Sequence, residues 1–152
     1  MGEFESVGEI LEFAIAREEE ANRLYMDLAA RTENPAMRRV FEDFAEVELE
    51  HKAKLELEAM KEGIVVVPKE RFAAFKIADY VADAESVPEM DYKDVLMFAI
   101  KKERISVRLY VDLAAIVEDA GSREVLLSLA EEEAGHKARF EIEYEKLLVK
   151  GS

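Results

Sequence analysis

No cysteine occurs among the 152 residues. Disulfides, thiolate metal sites and a cysteine-held iron centre of the rubredoxin type are therefore excluded within this chain, and the composition is compatible with a reducing compartment. Helix breakers are scarce, with three prolines and six glycines, so long helices can run with few interruptions. No apolar run approaches the roughly 20 residues that a membrane-spanning helix needs. Positive charge is also in deficit: 21 Lys and Arg stand against 35 Asp and Glu, a formal charge of −14. Such an acidic chain repels phosphate backbones and anionic headgroups, so neither nucleic acid nor membrane is an expected partner. With no leader expected ahead of Glu3, a cytoplasmic location is the expectation. What remains is half apolar and 37% charged, the balance of a helical bundle, at a length that suits one domain with a core of useful size.

Histidine is the rarest functional residue, present twice, and both copies fall inside an internal repeat. Glu18, Glu48 and His51 recur as Glu103, Glu133 and His136 at a constant offset of 85 positions. The apolar framing repeats with them. FAIAREEEANRLYMDLAA (13–30) aligns without a gap on FAIKKERISVRLYVDLAA (98–115), and AEVELEHKA (45–53) on AEEEAGHKA (130–138). Each half reads as a helical hairpin, and two hairpins make a bundle.

The local signals place the helices. Ser6 with Glu9 forms a capping box that starts a first helix running to about Thr32. Asn34 followed by Pro35 starts a second, which ends near Glu62 with Gly63 as its stop. Asp91 caps a third, and Gly121 with Ser122 forms the turn to a fourth that runs to about Lys150. The single domain thus divides into a hairpin over 6–63, a crossover over 64–90 and a hairpin over 91–150. In the crossover, Ile64 to Val67 could suggest a strand, but Pro68 cuts it short. An amphipathic stretch around Phe72, Phe75, Ile77 and Tyr80 reads as a short helix. A connection of this length can span the roughly 42 Å of a 28-residue helix, which lets the second and third helices run parallel.

Most glutamates, including Glu19, Glu20, Glu46, Glu50 and Glu143, are expected on the surface. The six repeated residues differ, because they interrupt apolar stripes. These read Leu11, Ala14, Ile15, Glu18, Ala21, Tyr25, Leu28 on the first helix and Met37, Phe41, Phe44, Glu48, His51, Leu55 on the second. On the third they read Leu96, Ala99, Ile100, Glu103, Val107, Tyr110, Leu113, and on the fourth Leu126, Leu129, Glu133, His136, Phe140. Four buried carboxylates need neutralisation. Two divalent cations balance them, −4 against +4, with both imidazoles neutral. The i, i+3 spacing puts each Glu and His of a pair on one helix face, and a Glu on one helix with Glu-x-x-His on its neighbour, supplied twice, is the ligand pattern of di-iron and di-manganese bundles. Tyr25 and Tyr110 stand seven residues beyond Glu18 and Glu103 on the same faces. Each is either a core aromatic or a hydrogen-bond donor to a ligand carboxylate of the other hairpin. Asp27 and Asp112 also repeat, and helix-end or salt-bridge roles explain them.

These motifs make the chain resemble the ferritin-like di-iron carboxylate superfamily, in its rubrerythrin-like branch without a rubredoxin domain. The resemblance covers nearly the whole chain. It implies an all-α, ferritin-like four-helix bundle in which Glu18, Glu48, His51, Glu103, Glu133 and His136 are metal ligands, with Glu48 and Glu133 bridging. It further implies two iron ions as cofactor, although imidazole and carboxylate suit manganese or zinc as well. The implied activity is reduction of hydrogen peroxide or oxygen with Fe(II)/Fe(III) cycling in oxidative-stress defence. Electrons would come from an external donor protein, rubredoxin-like or flavoprotein, and the chain would form a small homo-oligomer rather than a cage. Ser106 departs from the pattern: rubrerythrins carry an additional Glu three residues after the third-helix ligand. The alternatives are an iron-binding ferroxidase, another divalent-metal protein with little turnover, and a bundle whose site is purely structural.

Overall fold

A computed structural model describes residues 4–61, 67–81 and 89–150. Its elements are α1 (Val7–Arg31), α2 (Pro35–Ala59), a one-turn α3 (Lys69–Phe72), a 3-10 turn (Ile77–Tyr80), α4 (Tyr92–Ile116) and α5 (Ala120–Val149). The fold is all-α, four long helices with the short elements in the crossover.

Capping residues set the helix starts. The Ser6 hydroxyl accepts the Glu9 N–H, and Asn34 accepts the Met37 N–H with Pro35 opening the helix. Asp91 accepts the Asp94 N–H. The return arm of the first cap differs from a strict capping box, since the Glu9 carboxylate accepts from Glu5 N at 2.9 Å rather than from Ser6. The start of α5 corrects the sequence reading. Asp119 is the cap, accepting from both the N–H and the hydroxyl of Ser122 at 2.8 and 2.9 Å. Gly121 and Ser122 therefore lie inside the first turn of the helix. A Cβ at Gly121 would sit 3.3 Å from the Asp119 carboxylate, so the glycine leaves room for the cap rather than making a bend. Helix α2 ends at Ala59, before Glu62, and Gly63 falls outside the described residues, as do Ile64 to Val66.

Topology follows from which helix ends share a core. One apolar cluster joins Val7, Ile10 and Leu11 from the start of α1, Leu55 from the end of α2, Leu109 and Leu113 from the end of α4, and Leu126 and Leu129 from the start of α5. The second cluster joins the opposite ends, with Leu24 and Leu28, Met37 and Phe41, Val95 and Leu96, and Phe140. Hence α1 and α2 are antiparallel, α4 and α5 likewise, and α2 runs parallel to α4. The crossover must travel the length of the bundle. It is pinned on the way: Phe72, Phe75 and Tyr80 are buried in the first cluster with Ile77 packed against it, and Tyr80 donates to Asp112 at 2.8 Å. Asp27, the repeat counterpart of Asp112, pairs instead with Arg31 at 2.7 Å.

Candidate metal centre

Between the two apolar clusters lies a polar layer. Glu18, Glu48, His51, Glu103, Glu133 and His136 are all buried there, with Glu48, His51 and Glu133 at 0% exposure. Every stripe predicted to face inward does so, with Ile15, Phe44 and Val107 only half-buried at its margins. Glu19, Glu20, Glu46, Glu50 and Glu143 stay outside the core. Glu58 is a buried acid that the repeat gives no reason to expect, and Lys61 pairs with it at 2.9 Å.

The six side chains form two overlapping groups, Glu18, Glu48, His51 and Glu133 in one, and Glu48, Glu103, Glu133 and His136 in the other. Within each group one ligand atom per residue lies within 4.8 Å of the others. Glu48 and Glu133 belong to both groups. The histidines turn the same nitrogen inward. His51 Nδ1 stands 2.6 Å from Glu133 and 3.3 Å from Glu18, and His136 Nδ1 stands 3.1 Å from Glu48 and 4.0 Å from Glu103. Their rings are nearly parallel, 8° apart, with centroids separated by 6.4 Å.

These groups converge without pairing as hydrogen bonds. Glu18 Oε2, both oxygens of Glu48, Glu103 Oε2, both oxygens of Glu133 and Nδ1 of each histidine are buried and lack a hydrogen-bond partner. Buried polar atoms are otherwise almost always satisfied, so so many orphans aimed at one place form the lining that a cation fits. The hard oxygen and imidazole donors suit iron, manganese or zinc.

Electrostatics tell the same story. Burial, then the charges of Glu133 and Glu18, push Glu48 well above the ordinary carboxylate range. Burial and Glu133 do the same to Glu103, and Glu18 is raised by the same two causes. Burial also works to raise Glu133, but the close approach of Glu103 and His51 outweighs it and holds this acid at about 2. His51 is pulled down by burial yet carried up to about 10 by Glu133 and Glu18, whereas burial leaves His136 below its usual value. Without metal, protons do the neutralising.

The tyrosines are unequal. Tyr110 donates to Glu18 Oε1 at 2.5 Å, a carboxylate of the other hairpin, which is the second of the two readings its position allowed. The Tyr25 hydroxyl is buried without a partner, its ring set edge-on to His136 and against Phe140. In the metal-free protein, Tyr110→Phe should therefore cost about 1–2 kcal/mol, while Tyr25→Phe should be close to neutral. Urea unfolding of both variants checks this, and equal losses would contradict the asymmetry.

Sequence reasoning missed Glu132, whose carboxylate lies 2.8 Å from His51 Nε2, and Phe44 stacked on His136 with centroids 3.9 Å apart. The available signal was a departure from the repeat, since the counterpart of Glu132 is Val47 and that of Phe44 is Leu129. Ser106 lies apart from both groups and lines a small cavity with Arg17, Tyr80, Lys102, Ile105 and Leu109.

Comparison with known proteins agrees with this fold. A hypothetical protein from Pyrococcus furiosus superposes with a TM-score of 0.72 at 30% identity, covering 95% of this chain and 91% of its own. A protein from Thermotoga maritima described as a candidate ferritin-like diiron-carboxylate protein superposes with a TM-score of 0.75 at 19% identity, covering 95% and 98%. The fold is thus the ferritin-like bundle. A search of curated proteins gives no match. The rubrerythrin family model matches residues 9–144, nearly the whole bundle with all six clustered residues, and the chain belongs to the rubrerythrin family.

Proposed function

We propose that this protein is a di-iron carboxylate redox protein that reduces hydrogen peroxide or oxygen in oxidative-stress defence. The observation that carries the reading is the convergence of orphaned ligand atoms from six buried side chains in two groups sharing Glu48 and Glu133. In that reading Glu18 and His51 would hold one ion and Glu103 and His136 the other, with Glu48 and Glu133, common to both groups, serving both. Two iron ions bound there would supply the Fe(II)/Fe(III) couple.

The chain's own residues do the rest. Four helices fix the carboxylates in advance of binding, so little ordering remains to oppose it. The apolar clusters on either side exclude bulk water and strengthen every charge interaction between them. The Tyr110 hydroxyl holds a proton against Glu18 Oε1 and thereby fixes which oxygen of that carboxylate remains for metal. With no cysteine in the sequence, sustained turnover draws electrons from a separate donor protein, rubredoxin-like or flavoprotein. No helix among the described residues is long and apolar enough to cross a membrane; a cytoplasmic location and a small homo-oligomer belong to the same proposal.

Anaerobic Fe(II) protein mixed in stopped flow with equal concentrations of peroxide or oxygen tests the reading. Faster oxidation by peroxide, with turnover only when a reductant is added, is the expected result. The second reading, a ferroxidase, is favoured by Ser106, which supplies no carboxylate. Faster oxidation by oxygen with ferric mineral accumulating would establish it instead.

A further inference from the structure

The duplicated halves agree in the residues that line the centre and disagree just outside it. The Nδ1 of His51 points inward to Glu133 and Glu18, and the opposite nitrogen meets Glu132 Oε2 at 2.8 Å. A carboxylate can only accept, so Nε2 carries a hydrogen, and Nδ1, on the side facing the centre, is the nitrogen left to bind a cation once its own proton is displaced. Glu132 comes from α5 and His51 from α2, so the bond crosses between hairpins. The carboxylate is 40% exposed, and Lys54 approaches it at 3.9 Å from the solvent side. Holding it there costs far less than burying a fifth acid would.

His136 has no such support from the matching place. Position 47, which corresponds to 132 in the repeat, is valine, a side chain without a hydrogen-bonding group. The ring rests instead on Phe44, stacked within 19° of parallel. Stacking constrains the plane of an imidazole but selects neither tautomer. A carboxylate on the far nitrogen does both and makes the ligating nitrogen more basic.

We propose that Glu132 is a positioning residue for His51 and makes the two metal positions unequal, the ion on the Glu18 and His51 side binding more tightly than the ion on the Glu103 and His136 side. This rests on the metal reading given above. It adds a sequence of filling, because at limiting metal the His51 side loads first.

Co(II), added anaerobically to the full-length metal-free protein and followed by calorimetry and by its visible absorption bands, tests this without any turnover. Wild type should take up two ions in resolved steps. Glu132→Ala should weaken the tighter step about 10–100-fold, the usual effect of removing an outer hydrogen-bond partner, and change the spectrum of the first ion bound. Glu132→Gln should recover part of that loss, because its amide oxygen can still accept the ring N–H. Two-ion uptake with both steps unchanged in Glu132→Ala, or with both lowered alike, would overturn the inference while leaving the metal reading intact. No uptake by wild type would overturn both.

Discussion

Saturating the centre with Fe(II) or Mn(II) should raise the melting temperature by roughly 10–20 °C at neutral pH, and the gap should widen with pH. One ion at a hundredfold excess over its Kd adds about 2.7 kcal/mol to the native state and two add about 5; in a protein of this size each kcal/mol is worth about 2–4 °C. The pH dependence follows from the protons that stand in for metal. Glu18, Glu48 and Glu103 sit above their usual value of 4.5. Their contribution to metal-free stability is complete below about pH 4.5 and is lost as pH climbs through the raised values. His51 has the same sign over a higher window, complete below 6.5 and lost on approach to about 10. Glu133, held at about 2, contributes fully above 4.5 and is lost only in strong acid, so it stays constant near neutrality. His136, held below 6.5, acts in the opposite sense as pH rises to that value, but it is one group against four, so metal-free protein should melt lower at about pH 8 than at about pH 5, while metal binding, which must displace those protons, strengthens over the same interval. Calorimetric scans with and without metal across that range are the check. A metal-free form that gains stability as pH rises would mean that the carboxylates are not held protonated together.

Alanine at Glu133 or Glu48 should weaken binding of both ions by at least about 100-fold, beyond the 10–100-fold typical of an outer-shell change, because each belongs to both clustered groups. Glu18→Ala should chiefly weaken one ion. Stoichiometry by metal analysis after exhaustive dialysis separates these outcomes, and loss of a single ion in all three variants would refute the bridging roles. Glu48→Gln makes a sharper form of the experiment. It removes a carboxyl that burial and two neighbouring charges disfavour, so metal-free Glu48→Gln should melt above metal-free wild type at about pH 8, yet gain little on adding metal.

The centre was legible because a duplication writes it twice. A buried acid in one copy is hard to tell from an exposed one, but Glu18 and Glu103 interrupt the same apolar stripe at the same place, and both are buried. The helix starts at Ser6, Asn34 and Asp91 were legible for a local reason: capping is decided within four residues. The fourth start was misread because Gly and Ser together resemble a turn, while Asp119, two residues earlier, holds the cap. The end of α2 and the reach of the crossover depend on what packs against them, and a sequence window does not contain its neighbours. Glu132 was missed for a related reason. It lies about 100° around the helix from Glu133, and only the position of α2 in space makes that flank face His51. The two tyrosines were read alike, and the distinction between them lies in distances that the repeat does not encode.

The polar layer between the two apolar clusters also governs how the hairpins can seat. Leucine-rich surfaces tolerate sliding, because one helical turn of slip exchanges one greasy contact for another. Here a slip of about 5.4 Å would set the polar ends of Glu48 and Glu133 opposite leucine or phenylalanine with no polar partner, at a cost of several kcal/mol. The centre thus acts as a key cut into both hairpins, admitting one alignment of the duplicated halves and rejecting the neighbouring ones before any metal arrives.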